Sequence, residues 1–295
     1  MKPFRFLAAA VALALLLVPF VAESAGTLGP AALRSRHVAL QSQLTNNPFG
    51  GPLVLESEQA DRRIEGDVYA VIDHPFPKVA AALSDPAQWC DILILHLNTK
   101  YCGRENDGGV TRVLLRVGKK HPQKIDAASL LTFTWHPPQM RGDYISALMD
   151  SRDGPYDTSD YRLLAEAVPL EGGRTFLHMG YAFSYGGASS IAMKLYLGTI
   201  GHDKVGFTRT QSPSAKEEGY VDGMRGVAER NTMRYYLAID AYLDSLSAPA
   251  DRQLEKRLAA WFDATEKYPR QLHEGDREDY LRMKRSEVQR QTAGR

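Results

Sequence analysis

The sequence predicts an α+β domain in which an antiparallel sheet supports one long helix near the end of the folded chain. Two observations carry this. Residues 217–246, EEGYVDGMRGVAERNTMRYYLAIDAYLDSL, place Met224, Ala228, Asn231, Tyr235, Ala238, Tyr242 and Leu246 at steps of three and four, on one helical stripe. Upstream, segments of alternating apolar and polar residues follow one another, separated by turn signals. The stripe is wide and aromatic, so the helix needs a large apolar surface beneath it. Pro249 disfavours a helical residue before it and ends the pattern. Arg225 and Glu229 fall off the stripe, four apart, and are expected to pair on the surface.

At the start of the chain, Lys2 and Arg5 precede an apolar run from Phe6 to Phe20. Small residues follow at Ala22, Ser24 and Ala25. This is the pattern of a secretory signal, with residues 1–25 removed and the mature chain starting near Gly26. The other reading is an uncleaved anchor, but the run is short for a bilayer span. No cysteine follows the run to carry a lipid. The expected location is therefore periplasmic or secreted.

The chain has 295 residues, 44% hydrophobic and 24% charged, enough for a full core. Its formal net charge is +1. Such a balance argues against nucleic acid as a partner.

Residues 26–45 carry a modest helical pattern, broken by Asn46-Asn-Pro-Phe-Gly-Gly-Pro52. Residues 53–64 read as a short strand pair or an extended arm. Residues 66–74 alternate, with Val68, Ala70 and Ile72 on one face. A short helix follows at 78–83, and another after Asp85-Pro86, with Asp85 as N-cap and Pro86 in the first position. Strands are expected at 97–104 and 110–117, joined by the hairpin signal Asn106-Asp-Gly-Gly109. Further strands are expected at 129–136, 143–149, 160–168 and 175–185. In two of these, Leu131, Phe133 and Trp135, and then Leu177, Met179, Tyr181 and Phe183, share a face. A short amphipathic helix at 188–200 and a last strand at 204–210 complete the domain. Residues 249–295 form a charged helical extension, read as a solvated helix that frays. The plan is a signal at 1–25, an N-terminal helix and arm at 26–60, the main domain at 61–248 and the extension.

The segment 66–91, GDVYAVIDHPFPKVAAALSDPAQWCD, resembles the opening of START and Bet v 1-like domains, the SRPBCC group. The residues that carry the resemblance are Pro77, Val79, Leu83, Asp85, Pro86 and Trp89. It implies a helix-grip fold: a curved antiparallel sheet wrapped around the long C-terminal helix, with a hydrophobic cavity between them. It implies no catalytic residue, because the fold hosts several chemistries.

The chemistry-bearing motifs are few. None of the eight histidines is spaced HxH or HExxH, so no metal site is expected. Ser189 and Ser190 lack a nucleophile elbow. No phosphate loop is present, and no cofactor is expected. Cys90 and Cys102 are expected to form a disulfide if exported, the other reading being two buried thiols.

Two functions follow from the cavity. The first is an exported carrier of a hydrophobic small molecule or lipid, with transient membrane contact. Its ligand would touch Leu131, Phe133, Trp135, Leu177, Met179, Tyr181, Phe183, Asn231, Tyr235 and Ala238. Asn231 either meets a head group or ties the helix to the sheet. The second is a cyclase or dehydratase using the same cavity, with His136, His178, Asp143 or Tyr144 as acid or base. Strand parity turns His136 and His178 away from the apolar faces. Arg230 and Arg234 are expected at the surface.

Overall fold

Nine antiparallel strands form one curved sheet in the computed structural model, which describes residues 26–188, 204–210 and 219–293. The strands are β1 (Leu53–Ala60), β2 (Arg63–Ile72), β3 (Thr99–Asp107), β4 (Val110–Val117), β5 (Ser129–Trp135), β6 (Gln139–Arg141), β7 (Tyr144–Asp153), β8 (Thr158–Pro169) and β9 (Thr175–Tyr185). Their spatial order is β1-β2-β9-β8-β7-β5-β4-β3, with β6 paired to β7. Two helices, α3 (Phe76–Leu83) and α4 (Pro86–Leu93), connect β2 to β3. The long helix α5 (Gly223–Ser245) lies on the concave face. This order of elements is the helix-grip order.

Local chemistry explains the elements that position the core. Gly108 and Gly109 both take positive φ, which a two-residue hairpin with the right twist requires, and they set the β3–β4 register. The Asp85 carboxylate accepts the Ala87 N–H at 2.7 Å and starts α4, with Pro86 at the first position. The Trp89 indole N–H then donates to the Leu83 carbonyl at 2.9 Å and locks α4 onto α3. The Cys90–Cys102 disulfide joins α4 to β3, with Cα atoms 5.2 Å apart. Helix α5 crosses β2 at Gly66, where a Cβ would sit 2.5 Å from the Thr232 hydroxyl. The glycine lets the helix reach the sheet.

Of the two readings of residues 53–64, the strand pair is the one seen, as β1 and the start of β2. Other sequence expectations are corrected. Residues 204–210 form no strand beyond a single bridge, Arg209 to Tyr220. Helix α5 begins at Gly223 rather than 217. Gly219 and Gly223 both have positive φ, and the Asp222 N-cap is extended. The expected signal segment and the helix at 188–200 lie outside the described residues, apart from Ala188. No described helix is long and apolar enough to cross a membrane.

The largest correction concerns the C-terminal extension. Helices α6 (Ala250–Thr265), α7 (Pro269–Leu272) and α8 (Arg277–Ala293) pack on the domain rather than fray. Trp261 from α6 and Tyr280 from α8 stack with centroids 5.1 Å apart, both buried. Lys100 of β3 and Lys284 of α8 are fully buried, and Glu287 bridges them at 3.1 and 2.8 Å. The Gln291 side chain accepts the Cys102 N–H at 3.0 Å. Buried charge in α8 is tolerated because each charge has a partner on the domain.

The outer face of the sheet is covered too. Helices α1 (Pro30–Ala39) and α2 (Gln41–Thr45) bury Leu33, Leu40 and Leu44 against Val54, Tyr69, Val168 and Phe176.

Candidate functional site

Strand alternation sends Leu131, Phe133, Trp135, Leu177, Met179, Tyr181 and Phe183 to the concave side, where Ala238 joins them in one core with Tyr235 packed against it. A chain of ring contacts runs through this space. Phe133 meets Tyr161 at 6.3 Å, Tyr161 meets Phe183 at 5.5 Å, and Tyr181 meets Tyr235 at 5.4 Å. His96, in the turn between α4 and β3, stacks on Tyr235 at 5.0 Å. Tyr161 escaped sequence reasoning because the β8–β9 register shifts between Ser159 and Arg162 and breaks the parity. His96 follows an unbroken apolar run, ILIL, and no period marked it.

Not all of this region is solid. Leu177, Met179 and Ala238 have no accessible surface. Tyr235, Tyr236 and Tyr161 lie deep among protein atoms, yet each keeps accessible area, as does Asn231. A cleft between α5 and the sheet would leave such residual area on these side chains.

One end of the space is polar. The His96 Nδ1 accepts the Asn98 N–H at 3.1 Å, which leaves the ring proton on Nε2, 3.4 Å from the Asn231 Oδ1. Asn231 also bonds the Tyr181 hydroxyl, so it ties helix to sheet. Burial holds the His96 pKa well below the ordinary histidine value, and the charges of Arg234, Lys284 and Lys120 push the same way. The ring is neutral. Burial also raises the Tyr181 and Tyr235 hydroxyls, which stay protonated.

The basic residues around this end are not where the sequence suggested. Arg230 and Arg234 are buried rather than at the surface. Arg234 pairs with Glu274 at 2.8 Å, and Lys120 and Lys204 approach the same carboxylate at 2.6 and 3.7 Å. Arg230 donates to the Val205 carbonyl at 3.0 Å. Glu229, expected at the surface beside Arg225, is fully buried and accepts the Thr208 N–H at 2.9 Å, as well as the Phe207 N–H. In both places the docked extension and the 204–208 segment cover the back of α5.

The four acid–base candidates sit elsewhere. His178 lies on the outer face, its Nε2 2.7 Å from Asp67 and its Nδ1 3.0 Å from Glu166. Tyr144 donates to the same Glu166 at 2.5 Å. Burial lowers the His178 pKa, but hydrogen bonds and charges from Asp67 and Glu166 outweigh it and hold it at about 9. His136 pairs with Asp150 at 2.5 Å, both half-exposed, and Asp143 pairs with Arg34.

No family model matches the sequence, and no curated protein matches it. Comparison with solved structures returns matches at low similarity. Norcoclaurine synthase from Thalictrum flavum is 10% identical, over 50% of this chain and 88% of its own, with a TM-score of 0.33. Human StAR-related lipid transfer protein 5 is 8% identical over 53% and 84%, with a TM-score of 0.30. A conserved protein of unknown function from Enterococcus faecalis, EF2215, is 8% identical over 88% and 98%, with a TM-score of 0.31. The fold is a helix-grip fold. That assignment rests on the strand order and on the helix in the concave face.

Proposed function

We propose that the protein is an exported carrier of a hydrophobic, lipid-like ligand, held between the concave sheet face and α5. The observation that carries this reading is the accessible surface on Tyr235, Tyr161 and Asn231 beneath an apolar, aromatic wall. Burying apolar ligand surface there contributes about 25 cal/mol per Å² before ordering costs, so an acyl chain needs few polar contacts to be held. The signal-like segment supports export, with the mature chain starting near Gly26.

The test is native mass spectrometry of the protein isolated from its own host, followed by denaturing release and identification of bound lipid. A stoichiometric hydrophobic adduct is expected. A bare protein that also fails to take up a fluorescent hydrophobic probe saturably means the carrier reading is wrong. The same spectra give the N-terminus, and an intact Met1 end in the membrane fraction would rule out cleavage and soluble export.

A further inference from the structure

A second cavity lies between α6, α8 and the connection from β4 to β5. Its volume is about 340 Å³, within the range of small-molecule sites. No residue of α5 or of any strand lines it, so it is not part of the space beneath α5. Its floor is apolar and aromatic. Trp261, Phe262 and Tyr280 meet there, and Leu97, Leu272 and Met283 complete the apolar lining. The polar tips of two of the rings are spent on groups outside the cavity. The Trp261 indole N–H donates to the Arg234 carbonyl at 3.1 Å, and the Tyr280 hydroxyl donates to the Leu95 carbonyl at 3.0 Å. These rings therefore offer the cavity apolar surface and no donor.

The rim is polar, and three carboxylates on it keep open acceptors. Asp276 has no partner among the described residues. Asp279 gives one oxygen to Arg282, and Glu266 gives one to His273 at 2.9 Å, so each keeps its other oxygen open. The cations on the rim are already engaged. Lys120 pairs with Glu274 at 2.6 Å, and Arg282, the partner of Asp279, is largely exposed to solvent. Glu274 also takes Arg234 and Lys204, so it does not count with the other three. An ionised carboxylate accepts hydrogen bonds and donates none. An apolar floor below such acceptors fits a cation with an apolar body. An anion would meet like charge at the rim, and a neutral molecule would fill the floor and gain nothing from the field.

We infer that this cavity binds a small organic ammonium ion, an aryl-alkyl amine whose ring lies on Trp261, Phe262 and Tyr280 and whose charged nitrogen sits at the rim with Glu266, Asp276 and Asp279. The inference does not depend on the carrier reading.

The experiment compares three probes of similar length, 4-phenylbutylamine, 4-phenyl-1-butanol and 4-phenylbutanoate. Each is titrated into the folded protein at pH 7 and followed by NMR, with the Trp261 indole N–H as reporter. Exposed ion pairs are individually weak, so the three carboxylates together should give the amine about a fivefold advantage over the alcohol at low salt. That advantage should shrink at high salt, and 4-phenylbutanoate should bind weakest. Asp276→Asn and Glu266→Gln should each narrow the ratio of amine to alcohol affinity and leave alcohol binding in place. Both side chains reach solvent, so neither change strips a buried partner. Equal affinity for amine and alcohol, a tighter carboxylate, or variants that leave the ratio unchanged overturn the ammonium ligand. A response at Trp135, which faces the space beneath α5, with none at Trp261 overturns the second site, as does binding of no probe at all. Each of these outcomes leaves the carrier reading standing.

Discussion

Replacing His178 by glutamine should flatten the pH dependence of stability on the alkaline side. His178 is almost fully buried between Asp67 and Glu166, and its pKa is held at about 9 against an ordinary 6.5. The folded state therefore binds a proton more tightly than the unfolded chain does. That stabilisation is complete below pH 6.5 and is lost as pH rises through 9. The shift corresponds to about 3 kcal/mol at about 1.36 kcal/mol per pKa unit. Lys284 acts in the opposite sense above pH 8, because burial pulls its pKa down to about 8 and the unfolded chain then holds the proton longer. The informative quantity is thus the wild-type minus His178→Gln difference in unfolding free energy, measured by urea denaturation from pH 6 to 9.5. Wild type should lose about 3 kcal/mol relative to the variant across that range. The variant itself should be less stable at pH 6.5, since Asp67 and Glu166 lose their cation. A difference that stays level with pH would mean that His178 is neutral in the fold and that the two carboxylates do not hold it charged.

Three further outcomes follow from the same structure. Removing the Cys90–Cys102 disulfide with paired alanines should cost about 2–3 kcal/mol, read from denaturant midpoints, and thiol titration of the unfolded, unreduced wild type should find no free thiol. Glu287→Ala strips Lys100 and Lys284 of their shared counter-charge and should destabilise by about 3–5 kcal/mol at pH 7, whereas a loss under 1 kcal/mol would show that α8 does not dock as described. Gly66→Ala should cost about 1–3 kcal/mol through its clash with Thr232, and Thr232→Ala should relieve part of that cost in the double variant; strict additivity would place the helix farther from the sheet.

Much of the fold was legible because it depends on near neighbours. The period-two faces of β5 and β9, the Gly108-Gly109 turn and the Asp85 cap each involve contacts within a few residues or one strand pair. The apolar site faces followed from parity alone. What stayed hidden depends on partners far along the chain. Lys284, Glu287, Arg230 and Arg234 read as solvated, because a charged residue in a helix is exposed unless a distant group neutralises it, and Lys100 and Glu274 do so here. His96 was hidden for the same reason, since its role comes from Asn231, well over a hundred residues later. Tyr161 was lost to a local irregularity in the ladder.

The placement of α8 on β3 bears on how the chain survives its own synthesis. β3 ends the sheet, and a strand at that position offers free backbone groups to any passing chain. Gln291 takes one of those groups, the Cys102 N–H, and Glu287 reaches Lys100 beside it. These residues come well over a hundred positions after β3 and are made long after it. Until they arrive, the domain has a sticky margin and two amines without a counter-charge. A chain cut short before Glu287 should therefore keep that margin open, pair with other copies and be cleared by proteases, even though the whole sheet and α5 are present.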